Sequence, residues 1–197
     1  MSHCTTYPMV FQDKRLLFRA MRELEMEPES VAWEMYGSGL LKRLGIGGDS
    51  LGKLLTGSKY GLNLAFEETE EGLRPMFETD ALFGEERARV EEQLLSEVET
   101  AYLRCAVEET AKKYRESGLY AEVREKQTEE GVSFVLNFGT GNKSVTVAKS
   151  PDGVIEERVQ GVAGRSCTDV TAPLERLLSN SKTPVERTWT PAYQAKR

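Results

Sequence analysis

Apolar residues recur every three or four positions from residue 85 to 117. Val90, Leu94, Val98, Ala101, Tyr102, Cys105 and Tyr114 share one stripe, which predicts a long amphipathic helix. Acidic residues crowd its first turns, where the helix dipole favours them, and Gly118 stands after it as a stop. A shorter helix is predicted over "DKRLLFRAMRELEM", with Asp13 as N-cap, Leu16, Leu17, Ala20, Met21 and Leu24 on one face, and Pro28 closing it. A third helix follows Gly164, within "GRSCTDVTAPLERLL", with Ser166 or Thr168 as its cap.

Elsewhere the period drops to two. "SHCTTYPMVF" alternates weakly and reads as an edge strand blunted by Pro8. "YGLNLAFEETEEGLRPMFETD" reads as a hairpin: Leu62, Leu64 and Phe66 alternate, "ETEEG" turns the chain, and Leu73 and Phe77 return. Strands are expected at "LYAEVRE", "VSFVLNF", "SVTVAK" and "VIEERVQGV", separated by "EEG", "GTGN" and the turn "SPDG". Residues 31–61, rich in glycine with leucines between, read as loop with short helical turns. Helices and strands alternate without a βαβ rhythm, so the fold class is α+β. The expected architecture is a mostly antiparallel sheet with one long helix, extended by a C-terminal ββα unit.

Composition narrows the classes of function. The chain has 197 residues, 39% hydrophobic and 29% charged, as expected of a globular protein. No apolar run approaches the ~20 residues that span a bilayer, and "MSHCTTYPMVF" lacks a basic segment followed by an apolar one. The expectation is a cytoplasmic protein without membrane contact. Net charge is −6, which disfavours nucleic acid. The exception is the net basic segment 181–197, with Trp189 and Tyr193, where a base could stack. Three cysteines, Cys4, Cys105 and Cys167, are too few and too far apart for a disulfide scaffold. The single histidine, His3, argues against a histidine metal site or a Ser/His triad.

Candidate chemistry gathers in three places. "GGDSLGKL" fits G-x-x-x-x-G-K from Gly47 to Lys53, but Leu54 stands where a phosphate loop needs Ser or Thr to hold magnesium. We read it as a flexible glycine-rich loop suited to partner docking or to oligomer contact. His3 and Cys4 are adjacent, yet no C-x-x-C pair accompanies them, so no metal and no cofactor are expected. The third place is the helix entry at Gly161, Gly164, Arg165, Ser166, Cys167 and Thr168. A thiol in the first turn of a helix beside Arg165 is favoured as thiolate, and the same free amides can bind an anion. Against this, the chain offers no base beyond His3, and Asp169 beside the thiol opposes its ionisation. The alternative is a small cysteine packed at a glycine-bounded corner.

The stretch "SVTVAKSPDGVIEERVQGVAGRSCTDVTAPLERLL" resembles a small uncharacterised bacterial and cyanobacterial domain of the pattern strand, "PdG" turn, strand, G-x-x-G-x-x-C, helix, LE-x-x-L. Those positions are Pro151, Asp152, Gly153, Gly161, Gly164, Cys167, Leu174, Glu175 and Leu178. Ahead of it, "MSHCTT", "YGLNLAFEETEEG" and "AYLRCAVEETAKKYRESGLYAEVRE" resemble the hypothetical chloroplast open-reading-frame family "thirty-five". Both families lack an assigned activity. Their members are often encoded side by side near an AAA-type ATPase, so the resemblance implies a fusion of two modules acting as one unit with such a partner.

The expected organisation is therefore a module over residues 1–140, a ββα unit over 141–180 and a basic, flexible tail over 181–197. The expected function is a non-enzymatic adaptor or regulator that binds a protein partner, with an AAA-type ATPase implied; self-association is compatible with it. Two alternatives stand beside it: a thiol-dependent redox or acyl-carrying activity at Cys167, and anion or nucleic-acid binding through the tail.

Overall fold

The computed structural model describes residues 3–32, 53–79, 81–128, 131–162, 166–180 and 185–189. Contacts divide the chain into two units, residues 13–102 and residues 1–12 with 103–197.

The 13–102 unit begins with helix α1, Lys14–Glu23. Asp13 caps it as predicted, its carboxylate accepting from Arg15 N–H at 2.8 Å and Leu16 N–H at 3.3 Å. Leu16, Leu17, Ala20 and Met21 are buried. The helix stops at Glu23, well before Pro28, because the chain reverses through a Schellman motif. Met26 N–H donates to Met21 C=O, and Glu25 N–H donates to Arg22 C=O. Glu25 takes the left-handed position with φ 60°, where a Cβ is costly. Glu25→Gly is therefore expected to raise stability by roughly 1 kcal/mol, read as a higher urea midpoint.

Four antiparallel strands follow in the order β2 (Glu29–Ala32), β3 (Lys53–Lys59), β4 (Leu62–Thr69) and β5 (Gly72–Glu78). The predicted hairpin is β4–β5, with Leu62, Leu64, Ala65, Phe66 and Leu73 buried. Within 31–61, read as loop with helical turns, the described residues instead form β2 and β3. Pairing of β3 with β4, and of β2 with β3, overrides local composition there. Gly47 to Gly52 of the phosphate-loop look-alike lie outside the described residues. Lys53 begins a strand, whereas a phosphate loop delivers its lysine to a helix. Helix α2, Gly84–Glu116, matches its predicted span; residues 84–102 belong to this unit.

The second unit is built on six antiparallel strands in the order β10-β1-β9-β8-β7-β6. β6 (Ala121–Thr128), β7 (Gly131–Phe138), β8 (Ser144–Lys149) and β9 (Val154–Gln160) form a meander. β1 (His3–Pro8) lies beside β9, and β10 (Glu186–Trp189) lies beside β1. The segment expected to be a flexible tail thus contributes a strand. β1 is interior, not the predicted edge. Pro8 is tolerated because β10 pairs only with His3 to Thr6, so Pro8 stands past its end. Residue 140 lies in the β7–β8 turn, inside this sheet.

One sheet face carries Phe134, Leu136, Phe138, Val145, Val147, Ile155, Val159 and Tyr7, all buried. Residues 103–116 of α2 and helix α3 (Ser166–Leu178) cover it, through Leu103, Val107, Ala111, Leu174, Leu177 and Leu178. Arg104 bonds Glu125 at 3.1 Å, and the Tyr114 hydroxyl donates to Val170 C=O. The architecture is α+β, and no helix among the described residues is long and apolar enough to cross a membrane.

Candidate functional site

Of the six predicted site residues, Gly161, Ser166, Cys167 and Thr168 are among those described. Gly161 follows β9 with φ +73°, and a Cβ there would lie 2.2 Å from Asn142 O. Its role is a close backbone crossing over the β7–β8 turn. Gly164 and Arg165 lie outside the described residues. Ser166 and Cys167 are the first two residues of α3. Thr168 is half-buried, and its C=O accepts from Thr171 Oγ1 at 3.3 Å. Of the other thiols, Cys105 is buried in the core. Cys4 donates to Glu156 Oε1 at 3.2 Å, and burial, helped by that carboxylate, pushes its thiol above the ordinary range.

The densest polar constellation lies under α3. Ile155 and Val159 set the inward phase of β9, and Glu157 stands between them on the same face, wholly buried. The Tyr7 hydroxyl donates to Glu157 Oε1. Thr5 is the cross-strand neighbour of both Glu157 and Arg187. Arg187 bonds Glu175 of α3 at 2.6 Å, and Glu175 also accepts from Thr171 Oγ1 at 2.7 Å. Burial drives the Glu157 carboxyl up to about 8 despite the tyrosine hydrogen bond, and the charge of Glu175 adds to the rise. Tyr7 is pushed well above the usual phenol range, first by its own burial and then by Glu157. Tyr114 rises to about 12 for the same two reasons. Glu157 Oε2 and Thr5 Oγ1 are both buried without a hydrogen-bond partner. A neutral carboxyl sealed between strand and helix can hold elements together. It meets no solute unless β1 or α3 moves.

Residues 147–194 match the family described as "Protein of unknown function (DUF2997)". That span takes the end of β8 together with β9, α3 and β10, and so holds Glu157, Glu175 and Arg187; Thr5 and Tyr7 lie outside it. The match agrees with the resemblance to a small uncharacterised domain. No curated protein and no solved structure matches the chain.

The opposite face of the sheet carries the polar side chains. Cys4, Thr6, Thr146, Ala148 and Glu156 are half-buried there, and Arg158 is exposed. Thr6, Ser133, Ala148, Ser150 and Glu156 border a cavity of about 330 Å³. Glu156 is already committed, bonding Arg158 at 2.5 Å. Among the described residues, no group of three or more His, Cys, Asp or Glu side chains is placed to hold a metal ion.

Sequence reading missed Glu157, Thr5 and Tyr7 as a group. The local signal was present: in "VIEERVQ" the glutamate at 157 is in phase with Ile155 and Val159. A charged residue on the apolar phase of a strand marks a buried polar site. That Tyr7 meets it follows only from the pairing of β1 with β9.

Proposed function

We propose that this chain is a non-catalytic adaptor or regulatory protein that binds a protein partner through the polar face of its six-stranded sheet. The observation that carries the reading is the make-up of that face. A cavity lined by Thr6, Ser133, Thr146, Ala148 and Ser150, with Val132, Val154 and Lys149, is bordered by the paired Glu156 and Arg158, and a second such pair, Glu122 with Arg124, stands on β6. Five strand spacings of ~4.8 Å make the face about 24 Å wide, a scale suited to a protein surface. Its signs of charge are mixed, as at a polar interface rim, and unlike the one-signed track a phosphate backbone requires. The thiol on this face is held protonated by burial and Glu156, which supports binding over nucleophilic chemistry there.

The partner we propose is an AAA-type ATPase. That step rests on the resemblance of the first 140 residues to the chloroplast reading-frame family, which is itself part of the proposal. Ala148→Arg places a long charged side chain on the face while its backbone stays in β8. The expected result is saturable binding of the native chain to such an ATPase by fluorescence titration, weakened at least tenfold by Ala148→Arg with an unchanged melting temperature. Equal binding by both proteins would exclude the face; no binding by either would exclude this partner.

A further inference from the structure

The span matched by the family, residues 147–194, does not make a continuous sheet of its own. β9 and β10 both lie within it, yet neither pairs with the other. One strand position separates them, and β1 fills it from the other end of the chain, antiparallel to both neighbours. Several contacts of this inserted segment fall within the same module. Cys4 and Tyr7 donate to Glu156 and Glu157 of β9. Met9 N–H donates to Gly153 C=O at 3.1 Å, and Val10 N–H donates to Leu178 C=O at 2.7 Å. Phe11 follows, buried at 5% exposure. Leu178 is the last residue of α3, so the Val10 amide also satisfies a carbonyl that a helix end leaves open.

We propose that residues 147–194 form a strand acceptor: the slot between β9 and β10 binds an antiparallel extended peptide, and in this chain the occupant is residues 3–11. The slot states what its occupant needs. Position 5 lies between Glu157 and Arg187 of the flanking strands, where it is wholly buried, so only a small side chain fits. Position 7 must carry a hydroxyl on a long flat side chain, because Tyr7 alone among the described residues bonds Glu157. Positions 4 and 6 face the polar side, opposite Arg158 and Glu156. Main-chain hydrogen bonds supply affinity in such strand addition, and the alternate side-chain pockets supply specificity. An empty slot would leave two edges of unpaired N–H and C=O groups beside a buried carboxyl.

The experiment keeps the whole chain. A protease recognition sequence is inserted between Gln12 and Asp13, the uncut protein is matched to the native one by melting temperature, and the chain is then cut. The two pieces are expected to co-elute in gel filtration without denaturant. A labelled synthetic peptide of residues 1–12 is expected to replace the resident strand, and the same peptide with Tyr7→Phe to bind at least fivefold more weakly. On the unmodified chain, the amides of Thr5 and Tyr7 are expected to exchange hydrogen as slowly as those of β9. Pieces that separate on cutting, a scrambled peptide that exchanges equally well, or fast exchange in β1 would each overturn the proposal.

Discussion

Glu157→Gln is expected to stabilise the protein at pH 8 and to flatten its stability between pH 5 and 8. The native carboxyl keeps its proton up to about 8, whereas an unfolded glutamate releases it near 4.5. Between those values the folded state binds more protons than the unfolded one, so stability falls as pH rises through the window. The contribution is complete below 4.5 and gone above 8. For a wholly buried group this amounts to a loss on the order of 3 kcal/mol from pH 5 to 8. Glutamine keeps the shape and an acceptor for the Tyr7 hydroxyl, and has no proton to lose. Urea denaturation of both proteins across that range reads the effect directly. Parallel curves for the two would mean that Glu157 is not the buried, neutral group described.

Gly161→Ala carries the second large effect, in the opposite direction. The substitution meets two obstacles at once: a left-handed φ of +73°, and a new Cβ 2.2 Å from Asn142 O and 2.9 Å from Asn142 C. Backbone cannot swing aside as a side-chain tip can, so a cost of roughly 3 kcal/mol or more is expected. Gly118→Ala is the matched control, because its φ of +82° is equally unfavourable but nothing stands within 4 Å of the added methyl. That control is expected to cost roughly 1 kcal/mol. Equal urea midpoints for the two variants would remove the close crossing between the end of β9 and the β7–β8 turn.

These two residues also show where sequence reading reaches and where it stops. Gly161 was singled out from its place between strand and helix, and the structure assigns it a turn and a close approach. The Asn142 backbone it approaches could not be named, since that contact is long-range. Glu157 was legible locally, as a charge in the apolar phase of its strand, but its partner Tyr7 sits 150 residues away. The amphipathic elements came through because each declares its buried face within a few residues: the α2 stripe, the β4–β5 hairpin and the β6–β9 meander. What failed was decided by pairing or by caps. β1 looks like an edge strand until β10 arrives on its far side. β3 gains strand structure from β4, and β2 from β3, and not from their own composition. The turn that stops helix α1 places Glu25, two residues past its end, in a left-handed conformation where sequence rules look for glycine, so Pro28 drew attention to a stop four residues late.

The glycine-bounded helix entry remains the one place where chemistry competes with binding. At Cys167 the sequence supplies Arg165 to favour a thiolate and Asp169 to oppose it, and His3 is the chain's single histidine. The measurement that bears most directly on a non-catalytic reading is the pH dependence of Cys167 alkylation in the native protein, in a Cys4→Ser, Cys105→Ser background checked for folding. The account predicts labelling that waits for denaturant, or an apparent pKa no lower than the ~8.5 of a free thiol. Rapid labelling with a midpoint well below that value would contradict it and establish Cys167 as an activated thiol.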